Sequence, residues 1–207
     1  MLMTLKRQSS PKRKLLAAAR AARSHLPGGL PPVLFLTDPS RTPDPVATAK
    51  RLPAGWGVIY RHFGAADAAA MASALARICR ERGLCFLIAA DPQLAMATGA
   101  DGVHWPHAKA AASRRWQSRF ALMTASAHSP EELRMLARYP VDAALVSTVF
   151  ASNSPSARAP LGALRLRTIA RGSACPVFAL GGVSAGNAAQ VAGFSGIAAV
   201  DALTPAF

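Results

Sequence analysis

The sequence predicts an α/β chain folded as a compact (β/α)8 TIM barrel with a basic helical extension at its N-terminus. Three observations predict it. After Pro32, short apolar runs rich in strand formers alternate with helix-compatible stretches, without any long antiparallel section. The runs are apolar nearly throughout, which is the pattern of strands buried on both faces of a helix-covered parallel sheet. There are eight of them, the number that closes a parallel barrel. A doubly wound open sheet is the alternative, but the G-x-G-x-x-G expected after its first strand is missing.

The elements follow in order. Residues 1–30 form the extension: Ser/Pro turn signals, a run of good helix formers, then a stop at Pro27, Gly28 and Gly29. One face of that helix offers Leu15, Leu16 and Ala19 to the domain, with Lys12, Arg20 and Arg23 left to solvent. Residues 31–207 hold the barrel. Its strands are expected at 33–38, 57–61, 84–89, 102–105, 120–125, 143–148, 176–182 and 196–202. The clearest helices are expected at 66–82, 129–138, 161–171 and 184–193. A barrel of this architecture usually takes roughly 250 residues, so the loops here must be short.

Composition narrows the function. Of 207 residues, 51% are hydrophobic and 16% charged, enough apolar material for a real core and too much for a disordered chain. The formal charge of +14 points to an anionic partner until its distribution is read. Lys6, Arg7, Lys12, Arg13, Lys14, Arg20 and Arg23 crowd the first 28 residues, which contain no acid. That segment lacks aromatics for stacking and any nucleic-acid motif, so nucleic acid is not the expected partner. No apolar run reaches the roughly 18 residues that span a bilayer, and no membrane association is expected. Cys79, Cys85 and Cys175 form neither a ligand cluster nor an even disulfide set, which predicts reduced thiols in the cytoplasm.

In a barrel the site collects at the carboxyl ends of the strands. Those ends offer Asp38, Arg61, His62, Asp91, His104, His107, Ser126, His128, Ser147, Thr148, Gly181, Gly182 and Asp201. Gly181 and Gly182 lie where a strand gives way to an expected helix start, a place whose free N–H groups favour a phosphate. The plainer reading is a tight turn. Asp201, at the end of the last strand, opposes a phosphate there unless it pairs with Arg61 or with a basic residue of the extension. His128 stands between a strand and a helix, where an imidazole of unperturbed pKa about 6.5 can carry a proton. Its plain reading is a loop residue beside a helix cap, with Ser129 as the cap. His104 and His107 have no third ligand nearby, so a His104 packed beside Trp105 and a solvent-facing His107 are expected, with no metal.

Taken together, "LFLTD", "GADGVHW", "TASAHS", "VSTVFASNSP" and "PVFALGGVSAGNAAQV" resemble the thiamin phosphate synthase and thiazole tautomerase superfamily, across residues 33–204. The resemblance implies a small barrel acting in thiamin (vitamin B1) metabolism on a phosphorylated heterocycle of the thiazole phosphate class. The synthase branch uses Mg²⁺ to hold a departing pyrophosphate. Its Asn-Asp at the third strand is matched here by Ala89 and Ala90, and its second Asp by Lys109. Of its Gln-Arg-x-Lys only Arg61 remains, in Tyr60-Arg61-His62-Phe63, and its Thr-x-Thr-Lys reads Ser152-Asn153-Ser154-Pro155. Ser126 matches the family's fifth-strand serine, and Asp201 stands where a serine is usual. The tautomerase branch needs no metal and places its catalytic histidine at His128.

The sequence is therefore expected to give a metal-independent, tautomerase-like proton transfer with His128 as shuttle. Arg61, Ser126, Ser152, Ser154, Gly181 and Gly182 would bind the ligand. Mg²⁺ enters only under the alternative, a synthase with a site rebuilt around Asp91 and Asp38. A degenerate barrel that only binds ligand is the non-enzymatic alternative, and a homo-oligomer is compatible with the sequence.

Overall fold

The structure, a computed structural model, describes residues 10–207; Lys6 and Arg7 lie outside the described residues. Eight parallel strands close into one barrel: β1 (Val33–Leu36), β2 (Gly57–Tyr60), β3 (Cys85–Ala89), β4 (Gly102–Trp105), β5 (Leu122–Ala127), β6 (Ala143–Val146), β7 (Val177–Ala179) and β8 (Gly196–Ala199). Closure is made by β8 pairing with β1, Val33 beside Ile197. The expected (β/α)8 architecture is present. Five of the strands, β1, β2, β6, β7 and β8, stop short of the apolar runs that announce them, because the final residues of those runs leave the ladder and become the rim. β5 also starts later than expected, since Phe120 is drawn onto Trp116, ring centroids 5.8 Å apart.

Among the described residues seven α-helices accompany the strands: α1 (Pro11–Arg23), α2 (Pro45–Arg51), α3 (Ala68–Arg82), α4 (Pro92–Thr98), α5 (Ser113–Trp116), α6 (Pro130–Leu136) and α7 (Gly162–Arg171). Four of them start with one local device, a Ser or Asp cap followed by proline. Ser10, Asp44, Asp91 and Ser129 each accept a backbone N–H from three residues ahead, and the proline at the first helical position gives up a donor that had no partner anyway.

The helix expected at 184–193 does not form; a single 3-10 turn, Ala188–Gln190, stands in its place. Asn187 explains the difference. Its Oδ1 accepts the Ser184 N–H at 2.7 Å and its Nδ2 donates to Gly182 O at 2.9 Å, folding the chain back before a helix can propagate. α1 packs against this turn and against β8, with Leu15, Ala18, Ala19 and Ala22 buried. Arg23 is not simply solvated as expected: it donates to Leu30 O at 2.8 Å and Gly55 O at 3.0 Å, tying α1 to the amino-terminal side of the barrel.

Two apolar layers result from the strand alternation. The larger lies between strands and helices, with Phe35, Val58, Phe86, Ile88 and Trp105. The smaller fills the barrel with Leu34, Leu36, Ile59, Leu87, Leu122, Leu145 and Phe178. The cysteines are free thiols, and burial pushes Cys79 and Cys85 up to about 12, with Asp101 adding to both. Above the inner apolar floor the inward positions turn polar, and there the cavity opens.

Candidate functional site

β5 shows how the floor becomes a site. Its inward residues run Leu122, Thr124, Ser126 and then, just past the strand, His128: one apolar contact followed by three polar groups rising to the mouth. Neighbouring strands add His104 from β4 and Ser147 after β6. A cavity of about 770 Å³ opens over them, and its wall carries all seven residues expected to act there, Arg61, Ser126, His128, Ser152, Ser154, Gly181 and Gly182.

His128 is held at two points. Its Nδ1 lies 2.9 Å from Ser147 Oγ, and its backbone N–H donates to Glu132 Oε2 at 2.7 Å. Ser129 accepts the Glu132 N–H at 3.1 Å, which makes a capping box shifted by one residue, with the Glu132 carboxylate taking the N–H of the residue before the cap. The cap and the histidine are thus parts of one device: the helix start fixes the backbone that aims the imidazole. Nε2 of His128 has no partner among the described residues.

His104 is packed, as expected, but inside the barrel and not with Trp105, which faces the outer layer. Its Nδ1 is 2.8 Å from Thr124 Oγ1 and its Nε2 is 2.9 Å from Ser126 Oγ. Burial, with Arg61 and His128 nearby, pushes its pKa down to about 3, so the ring is neutral at any ordinary pH. His107 departs from expectation. It is half-buried, and its Nε2 is enclosed without a hydrogen-bond partner among the described residues.

The opposite arc of the mouth carries the charges. Arg61 donates through Nε to Thr37 O at 2.7 Å and reaches Asp38 Oδ2 at 3.3 Å. Burial lowers its pKa while Asp38 opposes that, and a guanidinium stays charged regardless. Asp201 pairs with neither Arg61 nor the described part of the extension; it forms a two-pronged pair with Arg41 from the loop after β1. Phe63, with φ 48°, projects its ring into solvent at the lip, and Arg61 lies 5.3 Å from the ring centroid.

Gly181 and Gly182 adopt φ of 88° and 64°, and a Cβ on either would strike the backbone of Thr148, Phe150 or Ala151. The pair is therefore needed for the loops after β6 and β7 to touch. The helix start expected to help bind an anion here is absent. What remains is a set of amides: the N–H groups of Gly181, Gly182 and Val183 donate to nothing among the described residues. Ser152 and Ser154 face them from the loop after β6, with Ser154 N–H donating to Ser152 Oγ at 3.3 Å.

A family model described as thiamine monophosphate synthase matches residues 34–203. The chain belongs to the thiamine monophosphate synthase family. It is 33% identical over 148 residues to the thiamine-phosphate synthase of Geobacillus kaustophilus, covering 68% of this chain and 66% of that relative. It is 34% identical over 167 residues to the thiamine-phosphate synthase of Halorhodospira halophila, covering 76% and 79%. The chain thus spans a little under two thirds of the first relative's length. A solved structure, the thiamine phosphate pyrophosphorylase from Pyrococcus furiosus, shares the fold with a TM-score of 0.69 at 21% identity, over 81% of this chain and 84% of that one.

The Mg²⁺ that the synthase branch implies does not fit the residues of this family member. Ala89, Ala90 and Lys109 line the wall where carboxylates would be needed. Each nearby carboxylate is engaged: Asp38 with Arg61, Asp201 with Arg41, and Asp91 with the N–H of Leu94 at 2.9 Å and His62 Nε2 at 3.7 Å. No group of three His, Cys, Asp or Glu suited to a metal occurs among the described residues.

Thr124 and Arg41 are the site residues that sequence reading passes over, and His104 is read only as a packed residue, without its partners. The alternation in "LMTASA" was the available signal for Thr124, since it puts that residue on the same face as Ser126. Nothing local signals Arg41, whose partner lies 160 residues away.

Proposed function

We propose that this chain binds a thiazole phosphate, or a similar small phosphorylated heterocycle, and moves a proton on it without a metal ion, in the manner of a thiazole tautomerase. The observation that carries the reading is His128: anchored through Nδ1 and its own backbone, it leaves one nitrogen open to the cavity. An imidazole so held takes a proton from one position of a bound ligand and returns it to another, with no net loss of atoms. The amides of Gly181, Gly182 and Val183 would receive the phosphate, with Ser152 and Ser154 supplying hydroxyls and Arg61 a cation. Ser126 would meet the ring.

The synthase reading is favoured by the names of the relatives, which are thiamine-phosphate synthases. One experiment separates the readings. Incubation with a carboxylated thiazole phosphate in D₂O, followed by NMR, should show isomerisation or deuterium uptake without added metal. A parallel incubation with pyrimidine diphosphate, thiazole phosphate and Mg²⁺ should release no pyrophosphate. Release there would establish the synthase, and ligand-induced thermal stabilisation with neither reaction would establish a binding barrel.

A further inference from the structure

Thr124 is fully buried, and its hydroxyl has one partner among the described residues, His104 Nδ1 at 2.8 Å. The Ser126 hydroxyl likewise meets one group, His104 Nε2 at 2.9 Å, while facing the cavity on its other side. A neutral imidazole donates from one nitrogen and accepts at the other, so the three groups form a chain that runs in one of two directions. If Nδ1 carried the hydrogen, Thr124 would accept and its own O–H would point into the protein with no acceptor. A buried O–H without an acceptor is penalised far more than an unused lone pair on an oxygen that already has one bond. The direction that leaves no orphan runs outward: Thr124 O–H to Nδ1, Nε2–H to Ser126 Oγ, and the Ser126 proton into the cavity.

We propose that Thr124 and His104 are positioning residues that hold the Ser126 hydroxyl as a hydrogen-bond donor toward the ligand, so that the ligand atom facing it is an acceptor such as an unprotonated ring nitrogen or a carbonyl oxygen. The identity of the ligand rests on the function proposed above; the direction of the chain does not. Burial keeps His104 neutral, so this polarity persists across the working pH range. The arrangement also keeps His104 from acting as a base toward Ser126, since its accepting nitrogen faces Thr124.

The first test is the tautomer of His104, read from the long-range ¹H–¹⁵N pattern of its ring in the ligand-free full chain. The Nε2–H form is expected, and the Nδ1–H form overturns the proposal. The second test uses Thr124→Val and Thr124→Ser, titrated with a thiazole phosphate. The valine variant, which fills the same volume, should bind about tenfold more weakly, the usual worth of one hydrogen bond, while the serine variant binds as the parent does. On a Ser126→Ala background Thr124→Val should change nothing further. Unaltered binding by Thr124→Val alone overturns the proposal. Failure of the parent chain to bind the probe would count against the proposed function, and the tautomer would still decide the relay.

Discussion

The two halves of the cavity mouth are built from opposite materials. On the side of β1 to β3 and β8 the polar groups are mainly guanidiniums and carboxylates, paired Arg41 with Asp201 and Arg61 with Asp38, with the His62 ring facing Asp91. On the side of β4 to β6 the polar groups are His104, Thr124, Ser126, His128 and Ser147, joined by hydrogen bonds between imidazoles and hydroxyls, with Lys109 as the sole Lys, Arg, Asp or Glu of that arc among the lining residues. Paired charges fix loops and neutralise one another, which leaves little field to hold a divalent ion. Directional imidazoles and hydroxyls distinguish donors from acceptors and can pass a proton. Under the proposed function, the contrast assigns the chemistry to one arc and loop closure to the other.

The sharpest way to break that division is His128→Asn. Turnover should fall at least a hundredfold, the lower end of what a general acid–base group supplies, with thiazole phosphate binding retained in a thermal-shift titration. An unchanged rate would move the chemistry elsewhere. The imidazole arc makes a second, thermodynamic prediction. His104 is held near 3 in the fold against an ordinary 6.5, so below pH 6.5 the unfolded chain takes up a proton that the native chain refuses. Its contribution to stability is full above pH 6.5 and is lost as pH falls toward about 3, with a slope of at most about 1.4 kcal/mol per pH unit. Urea midpoints measured across that window should decline more steeply for the parent than for His104→Gln.

Two smaller effects probe the seam and the charged arc. Gly182→Ala should cost about 2–3 kcal/mol, because a side chain must enter a left-handed backbone and push away the carbonyls of Phe150 and Ala151; a calorimetric melt would show it. Asp201→Asn should leave stability within about 1 kcal/mol, since the Arg41 pair is partly solvated, and should tighten thiazole phosphate binding a few-fold as the negative charge disappears. Weaker binding in that variant would mean that Asp201 orients Arg41 toward the ligand.

The barrel was legible because eight doubly buried strands leave an apolar record, and Ser-Pro at 129–130 marked one helix start; the Asp-Pro pairs at 44–45 and 91–92 carry the same signal and were passed over. The helix expected at 184–193 failed on a single side chain, Asn187, whose two local bonds back to Ser184 and Gly182 override a permissive composition. The carboxyl-end rule gathered the expected residues into one cavity because that rule is topological. The partners of Asp201 and His104 were not legible, since which groups meet across a barrel depends on strand register and tilt, and neither is written in local pattern. His107 went astray as well: a proline-flanked polar residue reads as exposed, while the fold half-buries it.

Cys79 lies in the outer apolar layer on α3, and Cys85 on the adjacent β3 reaches the inner one. With both thiols disfavoured as thiolates, neither reacts readily with alkylating reagents while its surroundings are closed. The wall between β3 and α3 therefore contains two native clocks, one on each side. Modification rates read residue by residue by mass spectrometry would time the peeling of helix from strand separately from the opening of the barrel itself, without any engineered label.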